Sequence, residues 1–219
     1  PKRRAVVRTD SNQVLGVVSP SYTPIQNRAC FNFLDEVVES GDLRYHTAGA
    51  LGQGERVWML AKLPGEIRVR GGDDVVEKFL LLSNSHDGST ALRAFFTPIR
   101  VVCANTFNLA MRRGEGHGVS INHKGNLASK VKDARQVLGL AKHVYEVAEA
   151  KIERLASHSP TGFELTSFFK ELIPDPVEAD PTRARNTRAE LHRLFEEGIG
   201  QDIPEVRGTT WAEIGRAHV

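Results

Sequence analysis

The chain has 219 residues, of which 40% are hydrophobic and 26% are charged, a balance typical of a globular protein and too apolar for disorder. Its formal net charge of +2 is too small to indicate a partner by itself. The longest apolar runs are far too short to cross a bilayer, and no secretory signal pattern is visible. Cys30 and Cys103 belong to no metal-binding pair, which favours a reducing compartment such as the cytoplasm.

Both ends of the chain indicate a fragment of a longer protein. The chain opens at Pro1 rather than at Met, directly into a basic stretch. Residues 214–219 are the translation of ATCGGAAGAGCACACGTC, a common sequencing-library adapter. We therefore expect that residues 213–219 are not native, and we exclude them from the fold prediction.

The first elements are a hairpin and a helix. Two β-branched runs, 5–7 and 14–18, flank a polar turn and predict the hairpin. Thr23 and Gln26 then have the spacing of a capping box, and Pro24 suits a first helical position. Apolar residues at helical spacing follow, so the sequence predicts an amphipathic helix from Pro24 onward.

Between residues 43 and 102 the hydrophobic period switches to two. The runs are separated by turns rich in Gly, Asn and Asp. These connections are too short for helical crossovers, so the strands form a mostly antiparallel sheet. The predicted strands are 43–51, 56–63, 67–70, 75–82, 90–97 and 99–103.

The remainder of the chain has helical patterns. A short helix is predicted over residues 105–111 and a long one over about 126–156, and two more begin near Thr161 and Pro181. In the last helix, Leu194 is among the residues predicted to face inward.

The fold class is therefore α+β: an antiparallel meander sheet of hairpins with one preceding amphipathic helix and a helical C-terminal half. We expect an α+β core domain over residues 1–158 and a helical extension over residues 159–212.

The segment Ser85–Ser89 combines a histidine, an acid and two hydroxyls, which suggests hydrolytic chemistry. Adjacent residues in a hairpin turn rarely reach the geometry of a catalytic triad, and Asp-Gly is itself a strong turn signal. The turn interpretation is favoured. Cys103 is predicted to fill the core as a small hydrophobic residue.

Histidines could also hold a metal together with Asp10 or Asp87, but no pair has the tight spacing of a helical or knuckle site. No metal and no cofactor are therefore predicted. The candidate ligands considered are His46, His86, His117 and His123.

Positive charge is segregated along the chain. Eight cations stand against four acids between Arg112 and Lys151, and acids dominate the C-terminal part. A solvated helix face explains such a run as well as phosphate binding does. If the cations gather into one positive trough, Tyr45 or Trp58 is placed to stack bases, although both are equally compatible with the core. The candidate nucleic-acid-binding residues are Arg44, Arg56, Arg100, Arg112, Arg113, Lys124, Lys130 and Lys132.

Several stretches together resemble one family, the phage/plasmid-like proteins grouped as a domain of unknown function. The most specific stretch is Thr97–Thr106, and the others lie in the same order along the chain. They are 8–10, 16–18 with Tyr22 and Asn27, 47–49 with Leu51, 85–89, His123 and 208–211. The resemblance implies a context of phage and mobile elements, but no reaction.

The leading hypothesis is a non-enzymatic protein that binds single-stranded DNA, with RNA left open, for recombination or mobile-element maintenance. The order of elements is also broadly that of phage single-strand annealing proteins, which is an analogy of fold alone. A homo-oligomer is compatible with this hypothesis, and no membrane partner is expected.

Two alternatives stay open. One is a metal-assisted or hydrolytic enzyme that uses His86, Asp87, Asn105 and His123, gathered by the fold into one pocket. The other is a module that binds a host factor, which predicts an exposed apolar patch.

Overall fold

The computed structural model of the chain describes residues 2–39, 43–99, 101, 103–113, 118–124, 136–198 and 201–215. Within these residues the chain forms a two-stranded sheet, a five-stranded antiparallel sheet and six α-helices, most of them in the C-terminal half. The predicted α+β class is thereby confirmed. No helix in this described part is both long and apolar enough to span a membrane.

The elements follow one another in chain order. They are β1 (Arg4–Val7), β2 (Val14–Val18), α1 (Asn27–Glu39), β3 (Arg44–Leu51), β4 (Arg56–Arg68), β5 (Val75–Ser85), β6 (Leu92–Thr97), α2 (Ala104–Arg113), β7 (Gly118–Ile121), α3 (Gln136–Ser157), α4 (Gly162–Leu172), α5 (Thr182–Glu197) and α6 (Thr210–Gly215).

The chain divides into two compact units. The first comprises Pro1–Glu66 with Glu77–Glu146, and the second comprises Ile67–Val76 with Val147–Val219. The boundary that we expected near residue 158 stays a prediction.

The large sheet is a meander in the order β3-β4-β5-β6-β7. Short connections join β3, β4, β5 and β6 in succession, and the segment that contains α2 joins β6 to the antiparallel strand β7. In the β3–β4 hairpin, Arg44 pairs with Lys62 and Leu51 pairs with Arg56. The run 67–70, predicted as a separate strand, is instead the end of β4 followed by a short 3-10 turn over Val69–Gly71. Strand β7 was not predicted, because its four residues are too few to show a period.

One core cluster of the first unit joins the sheet to α2. Apolar residues at every second position of β4 and β5 contribute to it, as the period of two predicts, together with Phe95 of β6. Trp58 is only 5% exposed in this cluster, so the hypothesis that it stacks bases is wrong. The cluster consists of Trp58, Leu60, Phe79, Leu81, Phe95, Val101, Phe107 and Ala110.

Helix α1 begins at Asn27, not at Pro24 as the capping pattern predicts. The residues before it are held by long-range hydrogen bonds instead. The Thr23 amide donates to the carbonyl of His123 at 2.9 Å, and the Ile25 carbonyl accepts from the Asn84 side chain at 3.0 Å. Tertiary partners therefore outweigh the local helix signal.

Cys103 is exposed, so the prediction that it fills the core is wrong. Its carbonyl accepts the Phe107 amide at 2.9 Å, and its own amide donates to the Thr106 hydroxyl at 3.1 Å. Cys103 thus precedes the first turn of α2, and these hydrogen bonds satisfy polar groups at the start of the helix. The described residues at 99, 101 and 103 are not in a strand, which corrects the strand predicted over 99–103.

The C-terminal helices follow the sequence patterns in part. The capping box of Thr161 and Glu164 at the start of α4 is confirmed. Leu194 of α5 is 43% exposed, so its predicted inward position is wrong. The start of the long helix, at residues 125–135, lies outside the described residues, and α3 begins at Gln136.

Tyr145 of α3 is a buried polar anchor on the sheet. Its hydroxyl accepts the amide of Phe79 at 2.9 Å and donates to the carbonyl of Phe79 at 2.7 Å. Burial raises the pKa of Tyr145, so the hydroxyl keeps its proton for donation at any ordinary pH. The helix is thereby fixed to β5 by hydrogen bonds as well as by packing.

Tyr145→Phe is expected to lower the free energy of unfolding by about 1–3 kcal/mol, because the Phe79 amide is left buried without its acceptor. Urea denaturation measures the change. Tyr45→Phe is the matched control, because the hydroxyl of Tyr45 binds Asp35 at an exposed site and its loss should cost about 0.5 kcal/mol or less. Equal costs for the two variants would contradict the assignment of Tyr145 as an anchor.

Candidate functional site

The turn between β5 and β6 is organised around the carboxylate of Asp87. Its Oδ1 accepts the Ser85 hydroxyl at 2.6 Å and the Ser89 amide at 2.8 Å. Gly88 takes a φ of 75°, which favours glycine. These bonds fit the turn interpretation of Ser85–Ser89, because the Ser85 hydroxyl is engaged by an acid.

Arg56 is the cationic neighbour of this turn. Its Nε donates to the Ser89 hydroxyl at 3.1 Å and lies 3.8 Å from Oδ2 of Asp87. Burial works to raise the pKa of Asp87, but the hydrogen bonds from Ser85 and Ser89 and the charge of Arg56 lower that pKa overall. Asp87 is therefore ionised at neutral pH.

His86 points to the other side of the turn and is 8% exposed. Its Nε2 lies 2.8 Å from Oδ1 of Asn27, and its backbone amide donates to the carbonyl of Glu55 at 2.7 Å. Burial lowers the pKa of His86 despite the nearby charge of Asp87. A neutral imidazole that donates from Nε2 to the amide oxygen satisfies this geometry.

Tyr22 and His123 form a stacked aromatic pair beside the turn. Their ring centroids are 4.6 Å apart and their planes are 17° from parallel. The Tyr22 hydroxyl donates to the Ser85 carbonyl at 2.6 Å, and burial together with the Asp87 charge raises the pKa of Tyr22 to about 12. Both rings are thus held in one orientation.

His123 carries an unused acceptor. Its Nδ1 lies 3.3 Å from the carbonyl of Thr23, which requires a proton on that nitrogen. Burial lowers the pKa of His123, and the neighbouring His86 lowers it further. In the neutral ring Nε2 is therefore a lone-pair acceptor, and it is buried with no hydrogen-bond partner in the described part of the chain.

Tyr22, His123 and the Asp87 turn line an open cleft of about 530 Å³. Arg3 and Lys124 add two cations to its walls, while Asp87 is its acid. The described residues that line it are Arg3, Val17, Val18, Ser19, Tyr22, Asp87, Gly88, Ser89, Thr90, Ala91, Asn122, His123 and Lys124. The Asp87 turn, the β1–β2 hairpin and the residues that follow β7 all contribute to this lining, although they are far apart in sequence.

Gly16 allows the β1–β2 hairpin to form one wall of the cleft. A Cβ on Gly16 would lie 2.5 Å from the Cα of Asp87, a distance that no side chain tolerates. A glycine inside a strand is a signal of such close backbone approach. The hairpin reaches the Asp87 turn because residue 16 has no side chain.

The predicted basic residues do not all meet at this cleft. Lys124 lines it, and Arg56 binds the Asp87 turn beside it. Arg44 lies at the opposite end of the β3–β4 ladder, six residues along β4 from Arg56 and so roughly 20 Å away at about 3.3 Å per residue. Arg112 is exposed on α2.

Four predicted nucleic-acid-binding residues cannot be placed fully. Arg100, Lys130 and Lys132 lie outside the described residues, and so does the side chain of Arg113. Of the two predicted stacking residues, Tyr45 is 46% exposed.

Of the four residues named for an enzyme, three lie together. His86 and Asp87 are adjacent in the turn, and His86 is close enough to His123 to contribute to lowering the pKa of His123. Asn105 is exposed in the first turn of α2, and no hydrogen bond among the described residues joins it to the other three. In the same described part, no three His, Cys, Asp or Glu side chains are grouped so as to hold a metal ion.

Sequence reasoning did not name Tyr22, Arg3 or Asn27 as site residues. Tyr22 and Asn27 belong to the stretches that carry the family resemblance, and Arg3 belongs to a basic N-terminal run. The Tyr22–His123 contact spans about a hundred residues, so no local spacing reveals it.

Comparison with protein families matches residues 14–217 to the family described as domain of unknown function DUF932. Because the match covers most of the chain, this α+β protein belongs to the DUF932 family. No curated protein and no solved structure shows significant similarity to the chain.

The buried histidines predict a loss of stability at mildly acid pH. Since the folded pKa of His86 and of His123 lies below the ordinary 6.5, the unfolded chain takes up protons first. Stability should therefore be full above pH 6.5 and should decrease as the pH falls below it, until the folded imidazoles are protonated as well.

His123→Phe keeps a ring against Tyr22 but cannot take up a proton. Its free energy of unfolding should consequently fall less than that of the parent between about pH 8 and pH 5, the range in which histidine titrates. Urea denaturation across this range tests the expectation. An identical pH dependence in parent and variant would show that His123 is not the buried neutral group described above.

Proposed function

We propose that the cleft beside the Asp87 turn binds single-stranded nucleic acid. The observation that carries the proposal is the half-buried ring of Tyr22, backed by the buried ring of His123, in a cleft walled by Arg3 and Lys124. An aromatic platform beside cations is the arrangement that single-strand binding requires, because bases stack while phosphates are neutralised.

The platform is suited to stacking because it is already rigid. Tyr22 is anchored through its hydroxyl to the Ser85 carbonyl, and His123 is anchored to the Thr23 carbonyl. Little side-chain entropy is lost when a base stacks on the Tyr22 ring, because that ring is already held in place. Stacking contributes about 1–3 kcal/mol per base and tolerates any sequence.

The charges of the cleft favour a phosphate backbone. Arg3 and Lys124 are exposed at its walls, and each is able to neutralise a phosphate. The charge of Asp87 is offset by Arg56 and by hydrogen bonds from Ser85 and Ser89. The volume of about 530 Å³ lies within the range of ligand pockets.

The resemblance to phage/plasmid-like proteins supports a role in recombination or mobile-element maintenance. A single-strand annealing activity fits that context, in the cytoplasm of a bacterial host and with a homo-oligomer as its active form. The proposal needs no metal, no cofactor and no catalysis.

Titration of a labelled single-stranded oligonucleotide at two salt concentrations tests the proposal. Affinity should fall as salt rises, and Lys124→Gln should reduce the slope of log affinity against log salt by about 0.7, the value for one phosphate of a single strand. Tyr22→Ala should weaken binding by about 1–3 kcal/mol through lost stacking.

Arg44→Gln is the matched control, because it removes an equal charge at the end of the β3–β4 hairpin that is far from Arg56. It should leave affinity and salt dependence nearly unchanged. If Arg44→Gln weakens binding as much as Lys124→Gln does, the contact surface is the broader trough of cations and not the cleft. Absence of binding at low salt would refute the proposal altogether.

A hydrolytic enzyme is the second candidate, favoured by the unused Nε2 of His123 beside His86 and Asp87. This candidate needs a nucleophile that a base activates. The Ser85 hydroxyl donates to Asp87, and within the described part of the chain no serine hydroxyl is hydrogen-bonded to a histidine. Cleavage of a nucleic acid by the parent and its loss in His123→Phe would favour the enzyme over a binding protein.

A host-factor-binding module is favoured by apolar residues on the surface of the second unit. Phe163 is 80% exposed, Leu172 is 57% exposed and Val177 is 98% exposed. Such residues mark interaction sites when they form a continuous patch. Capture of one host protein by the parent but not by Phe163→Asp would support this candidate.

A further inference from the structure

The two carboxylate oxygens of Asp87 have different environments. Oδ1 is occupied by the Ser85 hydroxyl and the Ser89 amide. Oδ2 makes no hydrogen bond within the described residues, since its ion-pair partner Arg56 is 3.8 Å away. The Asp87 side chain is 25% exposed and lines the cleft. One oxygen of an ionised acid is therefore available to a ligand.

This oxygen can only accept a hydrogen bond. Hydrogen bonds from Ser85 and Ser89, together with the charge of Arg56, hold the pKa of Asp87 below its usual value against the opposing effect of burial. An ionised carboxylate has no proton to donate. The ligand group that it recognises must therefore be a donor.

Among the described polar groups beside Tyr22, Oδ2 of Asp87 is an accessible acceptor. Nε2 of His123 is also a lone pair without a partner in the described part of the chain, but it is buried and is not presented to a ligand. Oδ2 of Asp87 cannot satisfy a carbonyl oxygen. This carboxylate oxygen thus discriminates between the edges of the bases.

The four DNA bases differ in what they offer to an acceptor. Cytosine, adenine and guanine each carry an exocyclic amino group, and carboxylates accept from the cytosine N4 amine in known base contacts. Thymine carries no amino group. Its N3–H lies between two carbonyl oxygens, which a carboxylate repels.

We propose that Oδ2 of Asp87 makes the cleft selective for bases that carry an amino group, so that cytosine and adenine are bound in preference to thymine. The inference rests on the proposed function, because it assigns the base contact of the same cleft. Stacking on Tyr22, whose ring is backed by His123, holds the base, phosphate contacts to Arg3 and Lys124 hold the strand, and Asp87 contacts the base edge.

The test compares oligo-dC with oligo-dT of equal length by fluorescence anisotropy at low salt. Both are pyrimidine strands, so their stacking areas are similar. The parent protein should bind oligo-dC about tenfold more tightly, the size of one hydrogen bond to a charged group. Asp87→Asn keeps an oxygen for Ser85 and Ser89 but replaces Oδ2 with an amide nitrogen, which is a donor. The ratio of the affinity for oligo-dC to that for oligo-dT should therefore fall to about one or invert.

Asp10→Asn is the matched control, because it removes the same charge from the first unit at an exposed residue outside the cleft. It should change the affinity for both strands by one common factor and leave their ratio intact. Equal binding of the two strands by the parent overturns the inference alone, as does an unchanged ratio in Asp87→Asn. Binding of neither strand overturns the proposed function and this inference with it.

Discussion

The β1–β2 hairpin lies against the turn after β5 only because residue 16 has no side chain. A Cβ there would lie 2.5 Å from the Cα of Asp87, so any other residue must push hairpin and turn apart. The turn itself cannot retreat easily. Its amide at His86 is bonded to the carbonyl of Glu55, and its acid is held by Ser85, Ser89 and Arg56. The close approach of two backbones therefore fixes the wall of the cleft.

Hydrogen bonds from distant segments then lock the cleft's aromatic side. The Tyr22 hydroxyl donates to the Ser85 carbonyl. The Thr23 amide donates to the His123 carbonyl, and the His123 ring donates back to the Thr23 carbonyl. Each of these bonds takes a polar group out of water, and each is satisfied by a partner far away in the chain. Exceptions among the described residues of the site include two acceptors. Nε2 of His123 is buried without a partner, and Oδ2 of Asp87 keeps unused acceptor capacity at the cleft. The description of the family states no function. In this member, the cleft beside the Asp87 turn is a defined site that experiments can test.

The fold was largely predictable, because hairpins and helices leave local patterns. The turn at Asp87-Gly88, the alternating core residues around Trp58 and the capping box at Thr161 all follow from neighbours in sequence. The site was less predictable, because it depends on contacts between segments. A Thr-Pro-Ile-Gln pattern predicts a helix start, yet Thr23 binds His123 instead. Spacing likewise does not reveal that Arg44 and Arg56 lie at opposite ends of one ladder.

The central claim is that the cleft between hairpin and turn binds a single strand. Its most direct test is the affinity of Gly16→Ala for a single-stranded oligonucleotide, with Gly162→Ala as the control, because a Cβ on Gly162 meets nothing within 4 Å. Both variants are compared at a temperature at which circular dichroism shows each to be folded. The account predicts that one methyl group at residue 16 greatly weakens binding, whereas the same group at residue 162 does not. Parental affinity in a folded Gly16→Ala protein would contradict the account.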